Sequence, residues 1–238
     1  MKIAILGYGK MGKTIEQLAL ADNQEVVLKI GKRNTQELNL KNLQKADVAI
    51  EFSRPEHAFD NITACFEAGI PVISGTTGWL ENMEKAKELC QEKNGAFFYA
   101  SNFSIGVYLF SVINQQMASM MNVQEQYQVK MEEIHHTQKL DAPSGTAITL
   151  AKGILDNLDR KSDWVLGSHF DENQIPIEAK RIDKVPGTHS IEWTSAIDTI
   201  RIEHIAHSRE GFAKGALAAA SWIIGKKGHF GMSDLLGI

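Results

Sequence analysis

The chain has 238 residues, of which 43% are apolar and 23% charged, and its formal net charge is −4. This length suffices for one large domain or two small ones with a hydrophobic core, and the composition is that of a soluble globular protein. The charge argues against a nucleic-acid binder that works through overall positive charge. With no apolar run of about 18 residues, and with an N-terminal apolar run too short for a signal peptide, we expect a cytoplasmic protein without membrane or nucleic-acid partners.

Residues 2–6 (KIAIL) predict a strand that leads through the glycine-rich turn GYGKMG into a helix with apolar spacing. A G-x-G-x-x-G match in this strand–turn–helix context indicates a dinucleotide-binding site. Gly7 permits the tight turn, Gly9 lets a pyrophosphate approach the backbone, and Gly12 lets the helix pack on the strand. The helix N-terminus then supplies free N–H groups for phosphate.

The same letters also match the phosphate loop of nucleotide hydrolases, G-x-x-x-x-G-K-[ST], over residues 7–14. In that alternative Lys13 contacts the phosphates and Thr14 binds Mg²⁺. It requires a downstream strand that ends in Asp, whereas the best candidate, residues 47–53 (DVAIEFS), carries Glu51 inside the strand and ends in Phe-Ser. The dinucleotide-binding interpretation is therefore favoured.

Strands and helices continue to alternate through the first half of the chain. Further strands are predicted at residues 25–30, 47–53, 71–77 and 96–103, with helices at 55–68 and 80–93, and ELNL (37–40) is the only candidate for a strand within 31–46. Alternation of this kind indicates a parallel sheet covered by helices, with ligand at the carboxyl ends of the strands. Those ends carry the short polar segments GKR, FSRP, GTTG and ASNFS.

The end of the second strand bears on cofactor choice. An Asp or Glu usually stands there when the adenosine ribose keeps a free 2′-hydroxyl. This chain has Gly31, Lys32 and Arg33 instead. Two cations suit a 2′-phosphate, so NADPH is favoured and NADH remains possible; the alternative is that both are solvated loop residues.

The second half of the chain has a different pattern. A helix is predicted at residues 106–121, and alternating strands at 126–136, 175–183, 189–197 and 199–207 indicate a second, more antiparallel sheet. An apolar helix from Gly211 is expected to pack back on the first sheet. We therefore predict an α/β protein with a Rossmann cofactor-binding domain (1–103 and 211–238) and a smaller α+β domain for substrate binding and oligomerisation (104–210).

Residues 132–147, EEIHHTQKLDAPSGTA, concentrate polar chemistry where the 126–136 strand ends. His135 and His136 can both face one pocket at a strand end, and histidine exchanges protons near neutral pH. Lys139 offers a proton donor or an anion anchor. The cluster therefore combines a proton donor, a cation and an anion site, as a hydride-transferring enzyme requires.

A helix is predicted to begin at Pro143, whose fixed φ suits a first helical turn. Ser144, Gly145 and Thr146 then offer hydroxyl and N–H groups at its N-terminus, which form an anion site suited to a carboxylate. Asp141 is predicted to be a capping or turn residue.

A metal site is the main alternative for these side chains. Glu133, His135 and His136, with His204 and His207 in EHIAH, are metal-capable types. No helical HxxxH motif and no closed Cys/His set occurs in the sequence, so we predict no metal. Cys65 and Cys90 form no CxxC pair and are expected to be buried, reduced thiols.

With these residues in place, the chain resembles the 4-hydroxy-tetrahydrodipicolinate reductase (dihydrodipicolinate reductase) family of bacterial lysine biosynthesis. The most specific segment, EEIHHTQKLDAPSGTA, matches the family motif E-x-H-H-x-x-K-x-D-x-P-S-G-T-A, and GYGKMG, EFSRP, GTTG, SNFSIGV and FAKGALAAASWIIG extend the match over essentially the whole chain. The resemblance implies a Rossmann domain joined by the C-terminal helix, a mixed-sheet substrate domain and a homotetramer.

The resemblance also implies roles for single residues. His135 is the implied proton donor and acceptor and Lys139 the second proton donor, while His136, Ser144, Gly145 and Thr146 are implied contacts of the substrate carboxylates. The two cations after the second strand, Lys32 and Arg33, are expected to contact the cofactor. The resemblance implies these further cofactor contacts: Gly7, Tyr8, Gly9, Lys10, Met11, Gly12, Arg54, Gly75, Thr76, Thr77, Ala100, Ser101, Asn102 and Phe103. The implied reaction is reduction of a cyclic 4-hydroxy dicarboxylate by NAD(P)H with loss of water.

Some positions depart from the family pattern, and two other functions stay open. Where the family usually reads R-x-G, this chain has Arg181, Ile182 and Asp183; Arg209 matches a family arginine. The alternatives are another Rossmann oxidoreductase that acts on a different small carboxylic acid, and a nucleotide-sensing binding protein. The presence of both His135 and Lys139 counts against a sensor.

Overall fold

The computed structural model describes residues 1–208 and 210–238. These residues form two compact units. The first unit comprises Met1–Ile105 and Glu210–Ile238. The second unit is formed by the intervening part of the sequence, which begins at Gly106. The predicted domain boundaries fall within a few residues of these limits, and the cofactor and substrate roles given to the two domains stay predictions.

Within the described residues, the secondary structure comprises eleven strands, eight α-helices and two 3₁₀ turns. The strands are β1 (Lys2–Leu6), β2 (Glu25–Ile30), β3 (Val48–Glu51), β4 (Val72–Ser74), β5 (Ala96–Tyr99), β6 (Gln128–His135), β7 (Asp163–Leu166), β8 (Gln174–Arg181), β9 (Gly187–Thr194), β10 (Thr199–Ala206) and β11 (Gly228–Phe230). The helices are α1 (Lys10–Ala21), α2 (Leu40–Leu43), α3 (Pro55–Ala68), α4 (Met83–Glu92), α5 (Ile105–Met121), α6 (Gly145–Leu155), α7 (Glu210–Ile223) and α8 (Met232–Leu236). The 3₁₀ turns are Thr35–Glu37 and Leu80–Asn82.

The first unit is built on a six-stranded sheet in the order β11-β5-β4-β3-β1-β2, and every neighbouring pair is parallel. β2 lies on one side of β1 and β3 on the other, so the strand order reverses at β1. In sheets of this kind, a ligand crevice opens at the carboxyl ends of the strands beside the reversal. The predicted Rossmann-type α/β fold is confirmed.

Burial explains why these segments form a central parallel sheet. β1 and β3 are short apolar runs that are almost completely buried, as expected for strands covered by helices on both faces. The predicted helix near the C-terminus is α7, which packs against β3, β4, β5 and α1. Its approach depends on Gly215, since a Cβ there would lie 1.8 Å from the carbonyl oxygen of Phe103.

The second unit contains a five-stranded mixed sheet in the order β10-β9-β6-β8-β7. β9 pairs antiparallel with β6 and β10, while β8 pairs parallel with β6 and β7. One face of β6 contributes Val129 and Met131 to a core that also contains Phe110, Leu150 and Trp193. The mixed sheet of the second domain is confirmed, although only half of its strand pairs are antiparallel.

Several predicted elements differ from the observed ones. The prediction of a strand at 37–40 is wrong, because Asn39 accepts a hydrogen bond from the Asn42 amide at 3.1 Å and caps α2. The strands predicted at 47–53, 71–77 and 96–103 end earlier, because their last residues form polar loops. β7 and β11 are too short to show a period in the sequence. None of the described helices is long and apolar enough to cross a membrane.

Candidate active site

The loops that follow the central strands of the first unit lie side by side at one edge of its sheet. Backbone hydrogen bonds continue across the strand ends, from Phe52 N–H to the Leu6 carbonyl at 2.8 Å and from Gly75 N–H to the Glu51 carbonyl at 2.9 Å. The Ala100 amide likewise donates to a carbonyl at the end of β4. Three of the polar segments predicted to contact the cofactor are therefore brought together.

The three glycines of the first turn are explained by different features of the structure. Gly7 has φ +105°, and a Cβ there would lie 1.9 Å from the carbonyl oxygen of Phe52. At Gly12 a Cβ would lie 2.4 Å from the carbonyl oxygen of Gly7, which shows why the helix needs glycine to pack here. At Gly9 the space is open, because a Cβ there would meet no atom of the described chain within 4 Å apart from its own neighbours along the chain. The fold itself therefore does not require glycine at position 9. A ligand that approaches the backbone closely would require it.

The position of α1 favours dinucleotide binding over the phosphate-loop alternative. Helix α1 begins at Lys10, so only a short turn separates it from β1. Thr14 lies inside the helix, and its hydroxyl donates to the Lys10 carbonyl at 3.2 Å. Within the part of the chain that the structure describes, no side chain caps the first turn of α1 at Gly9. Its first amide groups are thus available to an anion.

A buried carboxylate, Glu51, joins two of the loops. It is fully buried at the end of β3 and accepts hydrogen bonds from the hydroxyls of Ser74 at 2.7 Å and Thr76 at 2.9 Å. It also accepts from the amide of Ser53 at 3.0 Å and from the Ser53 hydroxyl. Because the amide of Ser53 donates to Thr76 as well, one network fixes the segments FSRP and GTTG. From the sequence alone, Glu51 was noted only as a residue that does not fit a nucleotide hydrolase.

The remaining predicted cofactor residues differ in exposure. Lys32, Arg33, Arg54 and Thr77 are exposed on loops at the carboxyl ends of β2, β3 and β4. Gly75 lies close to the ring of Phe52, which a Cβ at position 75 would approach to 2.2 Å.

In the loop after β5, Ala100 is buried and Ser101 is exposed. Asn102 uses its side-chain oxygen to accept from the Ser104 amide at 2.8 Å. Phe103 is buried, with its ring 5.7 Å from the ring of Phe98. The Phe103 side chain therefore serves the core, and only the backbone of this residue is left for a ligand.

Tyr8 forms a small network on the side of the glycine turn that faces β2. Its hydroxyl donates to Glu16, which also pairs with Lys29 at 3.0 Å. The hydrogen bond to Glu16 raises the pKa of Tyr8. The pKa of Glu16 is lowered, mainly by the hydrogen bond from Tyr8 and also by the one from Lys29. Tyr8 is thereby held beside the loop that carries Lys32 and Arg33.

In the second unit, the buried face of β6 changes from apolar to polar along the strand. After Val129 and Met131, the next two residues on that face are Glu133 and His135, and both are buried. Register places His189 of β9 opposite Glu133 and Arg181 of β8 opposite His135. Three strands thus deliver four ionisable side chains to one place.

Glu133 is the centre of this polar cluster. Its two oxygens accept from the Ser144 amide at 3.1 and 3.0 Å, and Arg181 Nη2 donates to Oε1 at 3.1 Å. The carboxylate Oε2 also lies 3.5 Å from His135 Nδ1 and 3.8 Å from His189 Nε2. Burial acts to raise the pKa of Glu133, but the hydrogen bonds from Ser144 and Arg181 and the charge of His135 outweigh it and lower the pKa.

The two histidines of the cluster pack edge to face, with ring centroids 5.1 Å apart. Burial lowers the pKa of His135; Glu133 opposes this shift, whereas Lys139, Arg181 and His136 add to it. Burial together with His135 lowers the pKa of His189 to about 4. His189 is therefore neutral near pH 7, and its Nε2 lies 3.2 Å from the hydroxyl of Ser144.

The loop after β6 carries the second predicted proton donor. Lys139 Nζ pairs with both carboxylate oxygens of Asp141 at 2.8 Å, and this bond lowers the pKa of Asp141. Arg181 fixes the loop by donating to the carbonyls of Lys139 at 3.2 Å and Asp141 at 2.6 Å. One guanidinium therefore connects Glu133 to the loop. His136, half-buried, directly follows β6.

Helix α6 begins later than predicted. The residue that caps it is Ser144, whose hydroxyl accepts from the Ala147 amide at 3.2 Å, so Pro143 lies before the helix and Asp141 is not its cap. Gly145 and Thr146 are its first two residues, and their amides have no acceptor within the helix. At Gly145 a Cβ would meet no atom of the described chain within 4 Å apart from its chain neighbours and its own helix backbone. The predicted anion site is thus open, while the Ser144 hydroxyl already serves as a cap.

The same cluster is also the candidate for a metal site. Within the described residues, only Glu133, His135 and His189 form a group of three metal-capable side chains, and their ligand atoms lie within 4.8 Å of one another. Glu133 already accepts from Ser144 and Arg181, and the guanidinium beside it would repel a metal ion. We therefore interpret the group as a proton-handling cluster, and the absence of a metal stays a prediction. His204 instead packs on Phe110 in the same unit, with ring centroids 6.0 Å apart.

Sequence reasoning missed part of this cluster. His189 was not considered, and Glu133 was considered only as a metal ligand. The available signal was the two-residue spacing of Glu133 and His135, which places both on the buried face of an alternating strand. Arg209 lies outside the described residues.

Comparison with known proteins identifies the family. The family models for the N-terminus and the C-terminus of dihydrodipicolinate reductase match residues 1–103 and 106–236. A 4-hydroxy-tetrahydrodipicolinate reductase of Christiangramia forsetii is 50% identical over 236 residues, which cover 99% of this chain and 98% of that relative. A namesake from Chromobacterium violaceum is 38% identical over 82% of this chain and 75% of its own length.

Solved structures agree on the fold. The dipicolinate-bound dihydrodipicolinate reductase from Paenisporosarcina sp. TG-14 matches with a TM-score of 0.78 and 23% identity over 98% of both chains. The family matches confirm the resemblance inferred from the sequence motifs, and they favour an oxidoreductase over a nucleotide sensor or a dehydrogenase of another acid. The chain belongs to the dihydrodipicolinate reductase family.

Proposed function

We propose that this chain reduces 4-hydroxy-tetrahydrodipicolinate to tetrahydrodipicolinate with loss of water, in lysine and diaminopimelate biosynthesis, and that NADPH is its preferred reductant, with NADH possible. The names of its relatives support the substrate. The observation that carries the site assignment is the polar end of the buried face of β6, where His135 and Glu133 lie next to the capped N-terminus of α6.

The substrate is a dicarboxylate, so its site must offer positive partners. The amides of Gly145 and Thr146 point out of the first turn of α6, and the open space at Gly145 lets a carboxylate approach them. His136 and Lys139 lie on the adjoining loop and complete the predicted contacts. A change that displaces the amides of Gly145 and Thr146, or that removes the charge of Lys139, would weaken substrate binding in both the ground state and the transition state.

Proton delivery is assigned to His135 and Lys139. Burial keeps the pKa of His135 below its ordinary value, so the ring is neutral near pH 7 before substrate binds. A dianion beside the ring favours its charged form, so the proton is taken up as substrate arrives. His135 then holds a proton for the departing hydroxyl, and Lys139, paired with Asp141 at 2.8 Å, is the second donor.

The residues of the first unit fit a phosphorylated dinucleotide. The open space at Gly9 and the first amides of α1, from Lys10 to Gly12, suit a pyrophosphate. Lys32 and Arg33 lie on the loop beside Tyr8 and suit a 2′-phosphate. The remaining proposed contacts are Arg54, Gly75, Thr76, Thr77, Ala100, Ser101, Asn102 and Phe103. When bound, NADPH supplies the hydride.

The family resemblance also implies a cytoplasmic homotetramer. Light scattering coupled to size-exclusion chromatography measures the assembly directly. A mass of about four chains of 26.4 kDa supports it, and a monomer at assay concentration contradicts it.

The function is tested by nicotinamide oxidation, with substrate made in situ from pyruvate and aspartate semialdehyde by the upstream synthase. We expect turnover that depends on the synthase and is faster at low NADPH than at low NADH. No oxidation with either cofactor, despite tight cofactor binding, would contradict the reductase assignment.

Cofactor choice is tested by the double variant Lys32→Ala, Arg33→Ala. Hydrogen bonds to a charged group are worth about 1.5–3 kcal/mol each, so KM for NADPH should rise at least about tenfold while KM for NADH stays unchanged. The matched control is Lys41→Ala, Lys45→Ala, which removes two other exposed cations of the same unit. An equal effect on both cofactors would assign Lys32 and Arg33 to general electrostatics.

A further inference from the structure

Glu133 has the position of an orienting carboxylate for the proposed proton donor. Glu133 and His135 stand two residues apart on the buried face of β6. His135 Nδ1 is buried and has no hydrogen-bond partner within residues 1–208 and 210–238. The nearest carboxylate oxygen, Glu133 Oε2, lies 3.5 Å away, just outside hydrogen-bond distance.

The surroundings of Glu133 keep its carboxylate ionised and fixed. The Ser144 amide and Arg181 Nη2 donate to it at 3.0–3.1 Å. A buried carboxylate needs such donors, because burial alone favours its neutral form. The Ser144 donor is a backbone amide at the cap of α6. The Arg181 guanidinium is fixed by its other hydrogen bonds, to the carbonyls of Lys139 and Asp141.

The other ring nitrogen of His135 faces a different environment. A Cβ at Gly187 would lie 3.1 Å from Nε2, so glycine at the start of β9 leaves this edge of the ring free. His189 contacts the ring edge to face and is itself neutral near pH 7. Only one nitrogen of His135 is therefore next to a fixed anion.

We propose that Glu133 is a positioning residue for His135: its carboxylate accepts the Nδ1–H of the ring, so that Nε2 exchanges the proton with the substrate. This inference rests on the proposed function. A histidine whose Nδ1–H is held by a carboxylate has a defined tautomer, and its charged form is stabilised when it takes up a proton. Glu133 therefore acts through His135 and does not touch the substrate.

The charges around His135 also predict the effect of replacing Glu133 by an uncharged residue. Among the residues that the structure describes, Glu133 is the only anion of the groups that act on the ring, and the others are cations or histidines from the adjoining loop, β8 and β9. The charged or titratable groups that face His135 are Glu133, His136, Lys139, Arg181 and His189. Removal of the Glu133 charge leaves only groups that disfavour a protonated ring.

The test is Glu133→Gln, which keeps the shape and removes the charge. We expect kcat to fall about 10- to 100-fold, the magnitude of a general acid that is poorly oriented, and the pH limb that reports His135 to move to lower pH. Cofactor affinity, measured by nucleotide fluorescence, should stay unchanged. The matched control is Glu132→Gln, the same change on the opposite face of β6, where the side chain pairs with Lys180.

A second measurement does not depend on turnover. ¹⁵N and ¹³C NMR of labelled histidine, with His135→Asn used for assignment, reports the tautomer and titration of the ring. We expect the Nδ1–H tautomer in the unaltered protein and a lower His135 pKa in Glu133→Gln. An Nε2–H tautomer, or a titration that does not move, would overturn the proposal even if the protein is a reductase.

The conservative variant covers the case in which Glu133→Gln does not fold. Glu133→Asp keeps the charge but moves it back by one methylene. We expect this variant to retain the pH limb of the unaltered protein with a smaller loss of kcat. If Glu133→Asp changes the tautomer of His135 without lowering kcat, orientation of the ring by the carboxylate is not used in the reaction, and the proposal fails.

Discussion

The replacement Ser144→Ala separates helix capping from substrate binding. Ser144 is buried, its hydroxyl accepts from the Ala147 amide at 3.2 Å, and the same hydroxyl lies 3.2 Å from His189 Nε2. Loss of a serine N-cap costs about 0.5–2 kcal/mol. An unpaired buried His189 nitrogen adds about 1–3 kcal/mol. We therefore expect the free energy of unfolding to fall by about 1.5–5 kcal/mol.

That loss corresponds to a fall in Tm of roughly 3–20 °C for a chain of this size. Urea unfolding gives the free energy, and steady-state kinetics gives KM for the dicarboxylate. Ser144→Gly is the matched variant, because glycine loses only a few tenths of a kcal/mol as an N-cap but removes the same hydroxyl. A loss below about 0.5 kcal/mol in Ser144→Ala would refute the capping argument. Equal rises of KM in both variants would place the hydroxyl on the substrate.

Three further predictions concern single groups. Gly187→Ala places a methyl group 3.1 Å from His135 Nε2, so kcat should fall at least about tenfold with unchanged cofactor affinity; unchanged kcat would show that Nε2 is not the reactive edge. Gly9→Ala fills open space at α1, so it should raise the dissociation constant of NADPH at least about tenfold without lowering Tm; a lowered Tm would make Gly9 structural. The pKa of His189 is about 4 in the folded chain against an ordinary 6.5. The unfolded chain thus binds the extra proton first, and His189 makes stability fall by up to about 1.4 kcal/mol per pH unit from pH 6.5 down to 4. This slope should be shallower in His189→Asn, and an unchanged slope in urea titrations would contradict the burial argument.

Much of the first unit is predictable because its signals are local. The bounds of β1 and β2 agree with the prediction, and α3 spans residues 55–68 as expected. Pro55 at the first helical position and Gly69 in a left-handed conformation just after the helix explain why its ends are visible in the sequence. The ends of β3, β4 and β5 were predicted too late, because the predicted strands included the loop residues that follow the apolar runs.

The candidate site was predictable only in part, since it depends on register between distant segments. His136 and Lys139 on the loop, and Gly145 and Thr146 at the start of α6, could be proposed together because they are close in sequence. The pairing of Glu133 with His189 arises from the antiparallel alignment of β6 with β9, and no local pattern reveals which residues a strand will face. Glu51 was missed for a similar reason, because its partners Ser74 and Thr76 come from the next strand and its loop.

A buried polar cluster such as the one at the end of β6 is weak evidence for a stabilising role, and this supports a role in function. Replacing buried ion pairs by apolar side chains of similar volume is often neutral or stabilising, and the same face of β6 already carries Val129 and Met131 in a well-packed core. Yet Glu133, fully buried, is held by Arg181 and by a backbone amide. A fold that needed only a core would continue the apolar pattern. The change to carboxylate and imidazole at the strand end, beside an open helix N-terminus, is what the proposed reaction would require, because that reaction moves a proton next to a bound anion.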